Sequence, residues 1–245
     1  MIFQEHARHV PSAQSAESPR NAAVCRDAVL APLFWAAFRA RTREQCEWIY
    51  PTGPAAVCVR GTDPIRILII GDGAAAGCGV LIHDLGIAGF LARHVAEHLG
   101  RGAIVTVSAQ PAASARSTLD CLASVDLEGY DAIVLMLATT DAFCLTGRRS
   151  WQRSMTGLVE ALTSARCASV CVTSTASMNL TRSISPVARA LTGRHARMLD
   201  GETERICSRL GVPMITLTAV NDLTSRTYAM WGHRIGTHIC RAIRR

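Results

Sequence analysis

The sequence predicts an α/β domain with a five-stranded parallel sheet, and three observations carry that expectation. Short aliphatic runs recur along the chain, each of strand length. Longer stretches with apolar residues at helical spacing separate them. The first run, Ile65-Arg66-Ile67-Leu68-Ile69-Ile70, empties at once into Gly71-Asp72-Gly73-Ala74-Ala75-Ala76-Gly77-Cys78-Gly79. That is the pattern of a buried strand ending in a glycine-rich loop, where open α/β sheets carry their sites. Strands separated by helices imply right-handed crossovers with helices on both faces.

The elements follow in order. Residues 1–24 are polar and turn-rich and read as a disordered tail. Residues 25–64 hold an apolar segment, Ala28–Phe38, followed by Arg39, Arg41 and Arg43, and then a Pro- and Gly-bearing linker over 50–64. Ala28–Phe38 is too short to span a bilayer, which takes about 20 residues. It reads as a helix packed on the domain surface, with peripheral membrane contact through Phe34, Trp35 and Phe38 as the sharper alternative. The domain proper occupies 65–245. Leu81–Leu99 reads as a helix stopped by Gly100 and Gly102, and Ala103–Ser108 as the second strand. Ser114–Ala123 reads as a short helix, Asp131–Leu137 as the third strand, and Trp151–Ala165 as a helix. Ala168–Thr173 is the fourth strand, 187–210 a long helix, Val212–Leu217 the fifth strand and 234–244 the closing helix.

Composition narrows the function classes. Half of the 245 residues are hydrophobic and 18% are charged, which suits a packed domain. The net charge is +7 and every basic side chain is arginine, spread along the chain rather than gathered in a patch with aromatics. This argues against nucleic-acid binding and leaves anionic surfaces open. The ten cysteines contain no Cys-x-x-Cys. Buried reduced thiols and no metal are expected, in a cytoplasmic setting, since the first residues lack the pattern of a secretion signal. His94 and His98 stand at i, i+4, a spacing that suits a metal but lacks a third ligand, so a helix-face role is expected.

The order of motifs resembles the bacterial SGNH hydrolases, the GDSL-type esterases and lipases. The resemblance implies a flavodoxin-like α/β/α sandwich with a mostly parallel sheet. In that family a Gly-Asp-Ser supplies the nucleophile, a second block a glycine, a third Gly-x-Asn-Asp, and a last block Asp-x-x-His. Set against these, Gly71-Asp72-Gly73 puts Gly73 in place of the serine. Ala112-Ala113-Ser114-Ala115-Arg116 puts Ala112 at the glycine. Leu137-Ala138-Thr139-Thr140-Asp141 puts Thr140 at the asparagine and keeps Asp141. In Met230-Trp231-Gly232-His233, either His233 or Trp231 falls at the histidine, and the acid is absent in both registers. Acyl transfer needs an activated hydroxyl and donors aimed at the oxyanion. The resemblance therefore implies a hydrolase fold without an intact catalytic set and without a cofactor, retaining a cleft for a small acyl or apolar ligand.

Two other readings compete. One is an active esterase with a displaced nucleophile among Ser114, Thr139, Thr140 and Cys78. The other treats Gly71-x-Gly73-x-x-x-Gly77 as a dinucleotide fingerprint, against which the second strand lacks a ribose-binding acid. Asp72 and Asp141 are expected to cap local amides, and Trp151 to anchor core.

Overall fold

The computed structural model describes residues 49–175, 186–220 and 222–244. Ala28–Phe38 and the tail lie outside the described residues. The strands are β1 (Ala56–Val59), β2 (Ile65–Gly71), β3 (Ala103–Ala109), β4 (Ala132–Met136), β5 (Ser169–Thr173) and β6 (Met214–Ile215). The helices are α1 (Ile87–Leu99), α2 (Ala115–Cys121), α3 (Thr139–Phe143), α4 (Arg148–Ser164), α5 (Pro186–Leu210) and α6 (Ser225–Ile243).

The sheet order is β1-β3-β2-β4-β5-β6. Five neighbouring strands are parallel, and β1 joins the edge antiparallel, with Ala56 opposite Thr106. The sheet thus has six strands, one more than the sequence pattern predicts. The extra strand is β1, four residues inside the stretch expected to be linker. Setting β1 aside, the parallel strands follow the 2-1-3-4-5 order of flavodoxin-like folds.

Alternation along β2 makes the layers. Ile65, Ile67 and Ile69 pack with α1 and α6, and Leu68 and Ile70 pack with α2, α4 and α5. Both faces are covered, so the central strand is apolar almost throughout. Gly71, the last residue of β2, permits a close approach: a Cβ there would run into the Met136 carbonyl of β4.

Three boundaries differ from the sequence expectation. Residues 81–86 are not α-helical: His83–Leu85 forms one 3-10 turn and α1 begins at Ile87. The fifth strand contracts to two paired residues, because the Leu217 amide turns to the Ser174 hydroxyl rather than a ladder. The last helix starts nine residues earlier than expected, capped by Thr224 and held by buried Tyr228, Trp231, Ile235 and Ile239.

Candidate functional site

Every helix that follows a parallel strand starts at the carboxyl end of the sheet, so the loops after β2, β3, β4 and β6 meet there. The order reverses between β2 and β4, and ligands in open α/β sheets bind at that reversal. Asp72 bridges it. Its buried carboxylate accepts the Thr139 amide at 2.9 Å, with further hydrogen bonds from the Thr140 amide and the Thr139 hydroxyl. Burial outweighs those donors and pushes the carboxyl up to about 7. Asp141 performs the same service one loop over. It accepts the Ala115 amide at 2.8 Å and the Thr146 hydroxyl at 2.7 Å, and burial raises its pKa. Both aspartates therefore tie loops together through amides.

Gly73 stands at the loop tip between two neighbours. A Cβ built on it would lie 3.2 Å from the Tyr50 hydroxyl and 3.3 Å from the Pro111 carbonyl. The phenol of Tyr50 thus borders the space that a side chain at position 73 would enter. Tyr50 shares a hydrogen bond with the Cys78 thiol, and burial raises its pKa. The arm that carries Tyr50 lies over the loop by backbone contacts: the Gly79 amide donates to Ile49 at 2.8 Å and the Thr52 amide to Leu81 at 3.1 Å. From the other side, the Tyr228 hydroxyl donates to the Cys78 carbonyl at 2.6 Å.

The second and third blocks lie beside this loop. Pro111 places the second block beside Gly73, and Ala112 is exposed with a negative φ, so alanine fits there without strain. Among the described residues the Gly73 and Ala112 amides have no backbone acceptor. Thr140 is buried at the start of α3. Ala138, ahead of it, takes φ 106°, a backbone that favours glycine.

Neither His233 nor Trp231 comes to this place. The β6–α6 loop, residues 216–224, contains no histidine. His233 lies eight residues into α6, about 12 Å along the helix from its start. Its ring sits 4.5 Å from that of His94, which in turn stacks on His98 at 3.9 Å. Trp231 is wholly buried and donates its indole N–H to the Thr218 carbonyl at 3.0 Å. Both registers proposed for the last block thus fall on a helix packed against α1. Among the described residues no group of His, Cys, Asp and Glu is arranged to hold a metal.

Of the four candidate displaced nucleophiles, Ser114, Thr139 and Cys78 make hydrogen bonds within the loops. The Ser114 hydroxyl caps α2 by accepting the Ser117 amide. Burial pushes the Cys78 thiol up to about 11. The dinucleotide reading fails on geometry: no helix begins at the glycine loop, and α1 starts only at Ile87. Sequence reasoning missed Tyr50, which no local pattern flags. It also missed His195 of α5, whose Nε2 sits 2.8 Å from the Thr146 carbonyl and whose charge favours ionised Asp141.

Fold, strand order and loop placement define the class as that of the SGNH, or GDSL-type, hydrolase fold. Among solved structures, the chain is similar to a lipase/acylhydrolase from Enterococcus faecalis, with 15% identity, 72% of this chain and 96% of that one covered, and a TM-score of 0.58. It is similar to the acetylxylan esterase Axe2 of Geobacillus stearothermophilus, at 10% identity, 73% and 95% coverage and a TM-score of 0.55. A protein described as lipolytic and of the G-D-S-L family, from Desulfitobacterium hafniense DCB-2, matches at 10% identity, 70% and 98% coverage and a TM-score of 0.55. No family model and no curated protein matches the sequence.

Proposed function

We propose that the chain is a non-hydrolytic relative of the GDSL-type esterases, one that keeps the old site as a cleft for a small acyl or apolar ligand. The observation that carries this reading is Gly73 itself with its neighbour: position 73 carries no attacking oxygen, and the hydroxyl beside it is a phenol whose pKa burial raises. A phenol held protonated is a weak nucleophile, and the β6–α6 loop supplies no imidazole to activate it. The backbone amides of Gly73 and Ala112 remain for a carbonyl or carboxylate oxygen, with exposed Pro111 and Ala112 as apolar neighbours.

Fluorophosphonate labelling of the purified chain, read by peptide mass mapping, tests the loss of hydrolysis. Expected is no adduct, and no turnover of short-chain p-nitrophenyl esters by the wild type or by Gly73→Ser, whose serine would still lack a base. A stoichiometric adduct on Ser114, Thr139, Thr140 or Cys78, with ester turnover abolished by replacing that residue, overturns the reading. Butanoate and hexanoate test the cleft: a rise in melting temperature that disappears in Gly73→Leu supports ligand binding, and no rise at millimolar concentrations removes that half.

A further inference from the structure

Among the described residues, the large apolar side chains left exposed gather at one place, Met230 apart. Leu81 is 65% exposed, Ile49 52%, Ile82 45% and Leu85 43%. Leu81 and Ile82 lead into the 3-10 turn that ends at Leu85. The Gly79 amide donates to the Ile49 carbonyl at 2.8 Å and the Thr52 amide to the Leu81 carbonyl at 3.1 Å. Tyr50 lies between those two bonds and reaches Gly73, so this lip stands at the mouth of the Gly73 loop. Contiguous exposed apolar surface marks a contact site.

The rim of the lip is acidic. Asp84 is exposed within the turn, and Arg93 of α1 donates to its backbone carbonyl at 2.9 Å rather than to its carboxylate. A Cβ on Gly79 would collide with the Leu223 carbonyl, which sets Leu223 and exposed Asp222 against the same stretch. Neither aspartate forms an ion pair among the described residues. An occupant must therefore bring apolar side chains and positive charge together, and an anionic bilayer would meet like charge here.

The chain carries such an occupant. Ala28–Phe38, outside the described residues, is apolar throughout, with Leu30, Phe34 and Phe38 at i, i+4 and i+8. Arg39, Arg41 and Arg43 follow it, ahead of Glu44 and Glu47. Residues 39–48 join the segment to Ile49, which is itself part of the lip. At about 3.3 Å per residue that connection spans up to roughly 33 Å, so the lip lies within its reach. A tether that short holds its end at a millimolar effective concentration. A second copy at micromolar concentration competes at a disadvantage of roughly a thousandfold.

We infer that Ala28–Phe38 docks on the lip formed by Ile49, Leu81, Ile82 and Leu85, with Arg39, Arg41 and Arg43 toward Asp84 and Asp222, and so straps the mouth of the Gly73 loop. The docking does not depend on whether the cleft has lost hydrolysis.

Photo-crosslinking in the full chain tests it. With p-benzoylphenylalanine in place of Phe34, illumination should give an intramolecular adduct that peptide mapping puts within residues 79–85. Leu81→Ser with Ile82→Ser should lower its yield at least about tenfold. Asp84→Arg with Asp222→Arg should lower it at least about twofold at low salt. Melting temperature gives a second readout. The lip pair, and separately Phe34→Ser with Phe38→Ser, should each lower it by about 2–4 °C, and the two pairs together by no more than either alone. An adduct mapped elsewhere in the chain overturns the inference, as do melting temperatures that the two pairs lower additively or not at all. So does an adduct at twice the chain mass, which would make the lip a contact between copies. A yield that the aspartate pair leaves unchanged overturns the charge pairing. No adduct in solution, with binding to phosphatidylglycerol vesicles that Phe34→Ser with Phe38→Ser abolishes, would give the segment to a membrane instead.

Discussion

The loop after β2 and the seam between α1 and α6 both hold polar groups in a buried setting, and they hold them differently. At the loop, Asp72 receives hydrogen bonds from the Thr139 amide and hydroxyl and the Thr140 amide, and a phenol stands beside Gly73. At the seam, the His94 ring stacks on His98 and meets His233 at a tilt, with Glu97 as the nearby acid that acts on His94. His94 is buried, its Nδ1 has no hydrogen bond and its Nε2 sits 3.2 Å from the Thr237 hydroxyl. The loop bears the motif of a reactive site but satisfies its groups with loop amides. The seam bears the histidines but serves packing. A residue type implies chemistry only where the topology delivers it to a strand's carboxyl end.

Titration separates the two regions by sign, and there the effect is largest. Asp72 has its pKa raised to about 7 in the fold, against 3.8 unfolded, so folding favours its protonated form. Its contribution is full below pH 3.8 and is lost as pH rises towards 7. His94 has its pKa lowered, by burial first and then by His98 and His233, while Glu97 opposes. Its contribution is present above pH 6.5 and is lost as pH falls. Urea melts from pH 4 to 8 should therefore show Asp72→Asn removing a decline on the order of 4 kcal/mol. His94→Leu should remove an acid-side loss instead. An unchanged pH profile in Asp72→Asn would mean that the carboxyl is ionised throughout.

A steric change at the seam comes next in size. A Cβ on Gly236 would collide with the His94 ring. Gly236→Ala should destabilise by about 1–2 kcal/mol, even though alanine favours the helix. A gain in stability would show that the ring has room to swing. The smallest effect belongs to the third loop. Ala138 holds φ 106°, so Ala138→Gly should add about 1 kcal/mol in chemical denaturation by releasing backbone strain. A loss would mean that the methyl packs well enough to repay the strain.

Much of this architecture was legible in the sequence because long-buried strands write their own signal. Ile65–Ile70 is apolar on both faces, since helices cover both sides, and its glycine loop is a local feature. Asp72 and Asp141 were readable as loop ties from their places at strand ends. The last helix was misread because Met230–His233 was weighed as a catalytic block, which masked the spacing of Tyr228, Trp231, Ile235 and Ile239. The four-residue β1 is too short to show a period between Pro and Gly. Tyr50 was invisible for a different reason. Its meaning lies in a contact with Gly73, 23 positions later, and no local propensity encodes that.

The edge strand also orders events in time. β1 finds its hydrogen-bonding partner in β3, with Ala56 opposite Thr106, about fifty residues further on. A chain emerging from the ribosome has no edge for the arm to join until β3 has been made. Tyr50 precedes the loop it covers by 23 residues, and the strand that follows it cannot pair until β3 has been made, so this edge of the sheet closes only after the loop has been synthesised.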